Sequence, residues 1–249
     1  MGLVINFKNL KLIIIKMRFP KIIHLIYIPW NRKQKLKKDY MDFDRSFYYN
    51  FKKQVGNKWE VKLWTWDIIN IFMNKYYMDE WKLIQKHSSR PTMLVDYLRW
   101  KLVYHYGGIY WQYGSKLKNS IEILIPKHER CIKLVTESYL NLFCRYWNSL
   151  YKIRNGIPEE EIRICNQVFA AYPKNKFVRK VIKSIVINIQ KYKVTEDYDI
   201  LYICANALVS KIYDRYDKKC VERLTLKEAN SIISIHGKGS WRTDKKWLF

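Results

Sequence analysis

Asp96 and Arg99 are the side chains whose types and spacing suggest ligand chemistry most directly. They lie three residues apart in Asp96-Tyr-Leu-Arg99, and on a helix this spacing places both on one face. A carboxylate accepts hydrogen bonds from ribose or sugar hydroxyls, and a guanidinium donates forked hydrogen bonds to a diphosphate. The same spacing is also that of an ordinary surface salt bridge. The pair therefore predicts either a polar ligand-binding corner or an i,i+3 ion pair with no further role.

A double-glycine joint, Gly107-Gly108, follows the pair along the chain. Glycine has no Cβ atom, so this joint would let the backbone approach a bound ligand closely. Tyr110 comes just after it, on a short apolar segment that is typical of a strand and that Gly114 interrupts. We expect these residues to complete the corner that begins with the Asp–Arg pair.

Hydrophobic spacing indicates the elements that must position these residues. A helix is predicted to begin at Pro91 and to end at the double glycine. His24 lies on the first apolar run and is expected to be a core histidine rather than a ligand. Strand, helix and strand joined by glycines predict an α/β layer architecture. The predicted strands cover 22–28, 59–64, 109–111 and the start of 232–249. Further helices are predicted over 67–86, 177–189 and 205–213. Acidic residues at 159–161 indicate the first turn of another helix that leads into 168–171.

Length and composition favour a single domain over residues 1–249. Nearly half of the 249 residues (49%) are apolar, which is enough to build a large core. Five cysteines, an odd number without C-x-x-C spacing, indicate reduced thiols and a cytoplasmic compartment. The apolar stretch at 10–17 is far shorter than the roughly 20 residues that span a bilayer. No transmembrane segment is therefore expected.

The charge is strongly positive, at +25 from 47 basic and 22 acidic residues. Such an excess suggests nucleic acid or an anionic membrane surface as a partner. The lysines are scattered along the chain, however, and the densest run, Arg32 to Lys38, fits a solvated loop. This distribution argues against a nucleic-acid partner, and a basic nucleic-acid-binding protein remains an alternative interpretation.

The segment from Asp96 to Tyr110 also resembles a known motif. It has the pattern D-x-x-R-W-x-L-x-x-x-Y-G-G-I-Y, which is similar to the core of the DxD-type glycosyltransferases of the Och1-like family (family 32), relatives of the large clostridial toxin glucosyltransferases. Proteins of that family typically have S-D-x-x-R-x-x-x-L-x-x-x-G-G-x-Y followed by a short acid-x-acid motif.

Three further segments resemble the same family in the same order. Pro20 to Tyr27 (PKIIHLIY) is similar to its opening strand, P-K-x-I-H-x-x-W, whose aromatic residue lies near the nucleotide base. A segment beginning at Asn166 resembles the asparagine-led segment after the metal motif. His236 to Trp241 (HGKGSW) resembles the closing H-x-x-x-S-W loop, which folds over the sugar diphosphate.

The resemblance spans residues 20–241 and leaves 1–19 as an N-terminal extension. It implies a GT-A fold, in which helices flank a mostly parallel sheet and the donor binds at the carboxyl ends of the strands. It implies no catalytic residue that we can assign. The substrate-binding residues that it implies are Tyr27, Asp96, Arg99, Gly107, Gly108, Tyr110, Gln112, Gly114, Asn166, His236, Lys238, Ser240 and Trp241.

The chain departs from the family where the acid-x-acid motif should stand. Gln112 and Gly114 occupy the positions of the two acids. Divalent ions bound to a sugar diphosphate prefer charged oxygen ligands. No metal or other cofactor is therefore expected, and Mn²⁺ or Mg²⁺ would bind only if other ligands, with His236 and Asp96 the first candidates, replaced the carboxylates.

The resemblance leaves two main hypotheses of function. The first is a glycosyltransferase that moves a sugar from a nucleotide-sugar to a glycan, lipid or protein acceptor, with Arg99 or Lys238 neutralising the leaving diphosphate instead of a metal. The second is a catalytically inactive relative that binds a nucleotide, glycan or protein. Hydrolysis of the donor distinguishes the two hypotheses.

Overall fold

The computed structural model describes residues 18–28, 45–140, 142 and 161–234. The N-terminal stretch and the closing loop, including His236, Lys238, Ser240 and Trp241, lie outside these residues. The strands are β1 (Ile22–Ile26), β2 (Glu60–Trp64), β3 (Gly108–Trp111), β4 (Lys116–Leu117), β5 (Ile132–Tyr139), β6 (Ile162–Ala171), β7 (Val221–Leu224) and β8 (Ile233–Ser234). The helices are α1 (Arg45–Val55), α2 (Trp66–His87), α3 (Pro91–Tyr106), α4 (Lys176–Lys191), α5 (Asp199–Ile203), α6 (Asn206–Asp214) and α7 (Leu226–Ile232).

A six-stranded sheet in the order β2-β1-β3-β6-β5-β7 forms the centre of the molecule. Every strand of this sheet runs in the same direction except β6, which is antiparallel to both of its neighbours. The chain leaves β1 for β2 on one side and returns to β3 on the other, so the strand order reverses at β1. Open α/β sheets bind ligands at such a switch point, beyond the carboxyl ends of the strands. The predicted fold class, a mostly parallel sheet flanked by helices, is confirmed.

Helices cover both faces of this sheet and make two apolar layers. On one face α2, α3, α4 and α6 pack in a cluster in which Trp100 stacks on Phe169 at 3.8 Å between ring centroids. On the other face α1 and α7 pack against Ile109, Trp111 and Val168. Because both faces are covered, the polar ends of the strands are where a ligand can reach the sheet.

Helix α3 begins and ends where the sequence predicts. Pro91 occupies its first turn, and Gly107, with φ of 68°, ends it by donating its N–H to the Val103 carbonyl at 2.8 Å. Thirteen of the 16 residues are buried, so α3 is a core helix rather than an amphipathic surface helix. Its charged residues, Asp96 and Arg99, are consequently carried into the interior.

The structure corrects the helix that the sequence predicts to begin with a turn at 159–161 and to lead into 168–171. Residues 159 and 160 lie outside the described part, Glu161 is in a bend, and Ile162–Ala171 form β6. Acidic residues after a proline resemble a helix start, but β6 lies between β3 and β5 and pairs with both. Pairing partners from elsewhere in the chain outweigh the local pattern here.

Candidate active site

A buried polar cluster surrounds the Asp96–Arg99 pair. Arg99 Nη2 lies 2.9 Å from Asp96 Oδ1, and the two residues are 5% and 4% exposed. Arg99 Nη1 also donates to the Asn166 carbonyl at 2.8 Å, while Asn166 Nδ2 donates to Asp96 Oδ1 at 2.9 Å. Tyr110 contributes its ring face, 4.9 Å from the guanidinium carbon. The pair is therefore neither a surface salt bridge nor an open corner, but a closed cluster of Asp96, Arg99, Tyr110, Asn166 and Cys204.

Asp96 and Arg99 stay ionised in this cluster although burial disfavours their charged forms. Burial raises the pKa of Asp96 to about 6, although Arg99, Asn166 and the Cys204 thiol all lower it. Burial alone would lower the pKa of Arg99, but Tyr110 and Asp96 outweigh it and the pKa is above its ordinary value. Burial and the adjacent Asp96 carboxylate raise the pKa of Cys204, so its thiol keeps the proton that it donates to Asp96 Oδ2 at 3.8 Å. At neutral pH the cluster is thus an intact ion pair.

A bulge in β6 places Asn166 in this cluster. Leu134 of β5 pairs with Phe169, and the next residue, Val135, pairs with Cys165, so β6 carries Asn166, Gln167 and Val168 between two adjacent pairs. Bulges re-aim side chains and are frequent beside active sites. Here the bulge turns both the side chain and the carbonyl of Asn166 towards α3.

An open cleft lies at the carboxyl ends of β1 and β2. Its volume is about 440 Å³. Tyr27, which follows β1, is half-buried at this cleft, and its N–H donates to the Trp64 carbonyl of β2 at 3.0 Å. The described residues that line it are Tyr27, Arg45, Tyr48, Tyr49, Leu63, Thr65, Asp67 and Ile68. We call this the Tyr27 cleft. A second cavity, between α4 and α6, has about 30 Å³ and is too small for a nucleotide.

The turn after β3 joins the Tyr27 cleft to the closed cluster. Tyr113 packs on Tyr27 with ring centroids 5.1 Å apart. One residue earlier, the Gln112 N–H donates to the Gln167 carbonyl at 2.9 Å, beside Asn166 in the bulge. The sequence-predicted residues Tyr27, Gln112 and Asn166 are thus brought to the same edge of the sheet.

The same turn does not provide a divalent-ion site from the described residues. Gln112 and Gly114 supply no carboxylate, and no group of three or more His, Cys, Asp or Glu side chains with suitable geometry occurs in the described ranges. Gly114 has φ of 86°, a conformation that favours glycine, although a Cβ atom added there would have no other atom within 4 Å. An aspartate there would meet backbone strain and no steric clash.

Gly107 and Gly108 lie at the opposite end of β3 and are not brought to the cleft. A Cβ atom on Gly108 would lie 2.3 Å from the Ile22 carbonyl oxygen, and one on Gly107 would lie 2.6 Å from Pro173 Cδ. Both also have positive φ. The double glycine is therefore needed for close packing of α3, β3 and β1, and not for contact with a ligand at the switch point.

His24 is a satisfied core histidine, as the sequence predicts. It is fully buried, Nε2 lies 2.8 Å from the Gly107 carbonyl, and Nδ1 accepts from Trp64 Nε1 at 3.1 Å. Because Nδ1 accepts, Nε2 carries the proton and the ring is neutral. Burial lowers the pKa of His24 to about 4, despite the hydrogen bond to Gly107 that raises it.

Several cleft residues were missed from the sequence. Arg45 and Tyr48 belong to α1, whose register relative to the sheet no local pattern reveals. Thr65 and Asp67 could have been found, because polar residues directly after a predicted strand lie at the carboxyl edge of a parallel sheet.

None of the helices in the described ranges has both the length and the apolar character required to cross a membrane.

The comparisons with known proteins support the fold. No protein-family model and no curated protein matches the chain. A solved structure described as PaToxG glycosyltransferase is similar, with a TM-score of 0.50 and 11% sequence identity over 81% of this chain and 72% of that chain. At this identity the likeness concerns the fold alone. With its mostly parallel sheet and its reversal of strand order at β1, the chain has a glycosyltransferase-like fold.

Proposed function

We propose that this chain is a glycosyltransferase that binds a nucleotide-sugar in the Tyr27 cleft and transfers the sugar to an acceptor. The observation that carries the proposal is the position of this cleft, at the carboxyl ends of β1 and β2 beside the switch point of a glycosyltransferase-like sheet, and its contact with the turn after β3 through Tyr113. A volume of about 440 Å³ suits a ligand of nucleotide size.

The lining side chains fit the parts of a nucleotide. The aromatic rings of Tyr27 and Tyr48 offer stacking surfaces for a base, while Thr65 and Asp67 offer oxygens for ribose hydroxyls. Arg45 is a cation at the same cleft for a phosphate group. The diphosphate would extend towards Gln112 and Gly114, where the family's metal motif normally stands.

We infer that the closed cluster forms the wall beside the sugar. Arg99 already donates to Asp96 and to the Asn166 carbonyl. A direct bond from Arg99 to the leaving diphosphate would therefore require exchange of one internal partner for a ligand oxygen. With no carboxylate at Gln112 and Gly114, stabilisation of the leaving group would fall to arginine and lysine side chains.

A binding panel tests the proposal. Calorimetric titration with UDP- and GDP-sugars should detect one preferred donor, and Tyr27→Ala should weaken its binding by about tenfold, since base stacking contributes about 1–3 kcal/mol. The matched control is Tyr76→Ala, because Tyr76 is an exposed tyrosine of α2 that does not line the cleft. Equal losses in the two variants would refute the assignment of the cleft.

A catalytically inactive binding protein is the second candidate. It is favoured by the loss of both acids at Gln112 and Gly114 together with the closed Asp96–Arg99 pair. Measuring donor hydrolysis with the preferred nucleotide-sugar decides between the two. Turnover supports the transferase, whereas tight binding without turnover supports the second candidate.

A further inference from the structure

The outer face of α4 carries basic side chains and no acidic ones. Between Ile162 and Thr195 the sequence contains eight Lys or Arg residues and no Asp or Glu. The 16-residue helix, about 24 Å long, buries Phe177, Val181 and Ile185 against the core. Its exposed stripe consists of Lys176, Arg179, Lys180, Lys183, Ile187 and Lys191, which recur at three- and four-residue steps. We call this stripe the α4 basic face.

Neighbouring elements extend this positive surface. Lys211 of α6 lines the small cavity together with Asn188 of α4, and its pKa is lowered by burial and by the like charges of Arg215 and Lys191. Lys180 lies 5.9 Å from the Tyr216 ring centroid, so the segment after α6 is close to the N-terminal half of α4. The acidic residues nearest in sequence are Glu196 after α4, Asp214 at the end of α6 and Asp217 beyond it. Like charges clustered in this way cost electrostatic energy unless an anionic partner compensates them.

One exposed aliphatic residue distinguishes this face from a merely solvated one. Ile187 is 60% exposed and lies on the same side of the helix as Lys180 and Lys183. A lysine-rich helical face with an apolar residue among the charges suits the interface of an anionic bilayer, where lysines meet lipid headgroups and the apolar side chain enters the acyl boundary. Nucleic acid would use the lysines but would gain nothing from Ile187.

We propose that the α4 basic face docks the protein on an anionic lipid surface, with Lys176, Lys180, Lys183 and Lys191 facing the headgroups and Ile187 entering the interface. The docking does not depend on sugar transfer, because it uses the opposite side of α4 from the core and no residue of the Tyr27 cleft. A membrane-bound enzyme would meet acceptors that lie at that surface.

The test is flotation of the full chain with phosphatidylcholine vesicles that contain or lack phosphatidylserine. Each lysine near an anionic surface contributes about fivefold in affinity. The triple variant Lys176→Gln, Lys180→Gln, Lys183→Gln should therefore weaken binding to phosphatidylserine vesicles on the order of 100-fold. The matched control removes the same charge from exposed lysines of α2, as Lys75→Gln, Lys82→Gln, Lys86→Gln, where Asp79 and Glu80 lie nearby in sequence, and should lose less than about tenfold.

A single substitution separates lipid from nucleic acid. Ile187→Asn should weaken vesicle binding severalfold and leave the affinity for single-stranded RNA unchanged. All of these residues are exposed, so unchanged thermal midpoints should accompany every variant. Equal losses in the α4 and α2 triple variants would overturn the proposal in favour of diffuse charge. Absence of vesicle binding, or RNA binding that is stronger than vesicle binding and insensitive to Ile187→Asn, would also overturn it.

Discussion

The Tyr27 cleft and the closed cluster around Asp96 lie at the same edge of one sheet but are built in opposite ways. The cleft is lined by half-buried or exposed side chains and has room for a ligand. In the cluster, Asp96, Arg99 and Asn166 are almost fully buried, and the charged groups bind one another. The polar groups of a sequence motif can therefore be satisfied by internal pairing, while the open cleft nearby is lined, apart from Tyr27, by residues that belong to no motif.

Removing one partner of the closed cluster should give the largest effect. Arg99→Ala leaves the Asp96 carboxylate buried without its counter-ion, and we expect the free energy of unfolding to fall by about 3–5 kcal/mol. Urea denaturation measures the change. The control is Lys62→Ala, which removes the half-exposed ion pair with Glu60 at 3.4 Å and should cost less than about 1 kcal/mol. If Arg99→Ala and Lys62→Ala lowered the free energy of unfolding by the same amount, the cluster would not be closed in solution.

A second variant tests the structural role of the double glycine. Gly108→Ala brings a Cβ atom to 2.3 Å from the Ile22 carbonyl oxygen and should destabilise the fold by about 3 kcal/mol or more, through steric overlap added to positive-φ strain. Gly56→Ala is matched in φ, at 75°, but meets no atom within 4 Å, so about 1 kcal/mol is expected. Similar costs at the two positions would show that backbone strain alone matters.

The pH dependence of stability should reveal the buried neutral His24. Its pKa is lowered to about 4 in the fold, so between about pH 6.5 and 4 the unfolded chain binds the extra proton and stability falls as the pH falls. Asp96, whose pKa is raised to about 6, acts oppositely over much of that range, because there the folded state holds the proton. The total slope is thus a poor probe of either group.

Comparison of the wild type with His24→Gln isolates the histidine contribution. The difference in free energy of unfolding between the two proteins should shrink by about 3 kcal/mol from pH 7 to pH 4. Urea titrations at several pH values supply the difference. A difference that stays constant with pH would mean that His24 is protonated equally in the folded and unfolded states.

The smallest expected effect concerns metal at the turn between the two regions. Because Gln112 and Gly114 supply no carboxylate, Mn²⁺ or EDTA should change the affinity for the preferred nucleotide-sugar by less than about twofold. Gln112→Asp with Gly114→Asp should create Mn²⁺ dependence, at some cost in stability from φ of 86°. Gly114→Ala controls for that strain. A strong Mn²⁺ requirement in the unmodified protein would show that other ligands have taken over.

Much of the fold could be predicted from local patterns. A continuous apolar run placed β1, alternation placed β2, helical spacing placed α4, and Pro91 with Gly107 marked the ends of α3. The site could be predicted only in part. The sequence suggested that Tyr27, Gln112 and Asn166 belong together, and the structure brings them to one edge, but it suggested the same of Gly107 and Gly108, which lie at the other end of β3.

The sequence by itself determined which segments become strands and helices wherever their own apolar spacing was sufficient, since that information is contained in neighbouring residues. Only the tertiary structure decided that Ile162–Ala171 form a bulged strand, because its pairing partners on β3 and β5 lie outside the segment itself. It also decided that Asp96 and Arg99 are buried on each other, because whether a polar face points to solvent or to the core depends on what packs against it, here Asn166 of β6 and Cys204 between α5 and α6. Spacing along one helix carries no information about what packs on it.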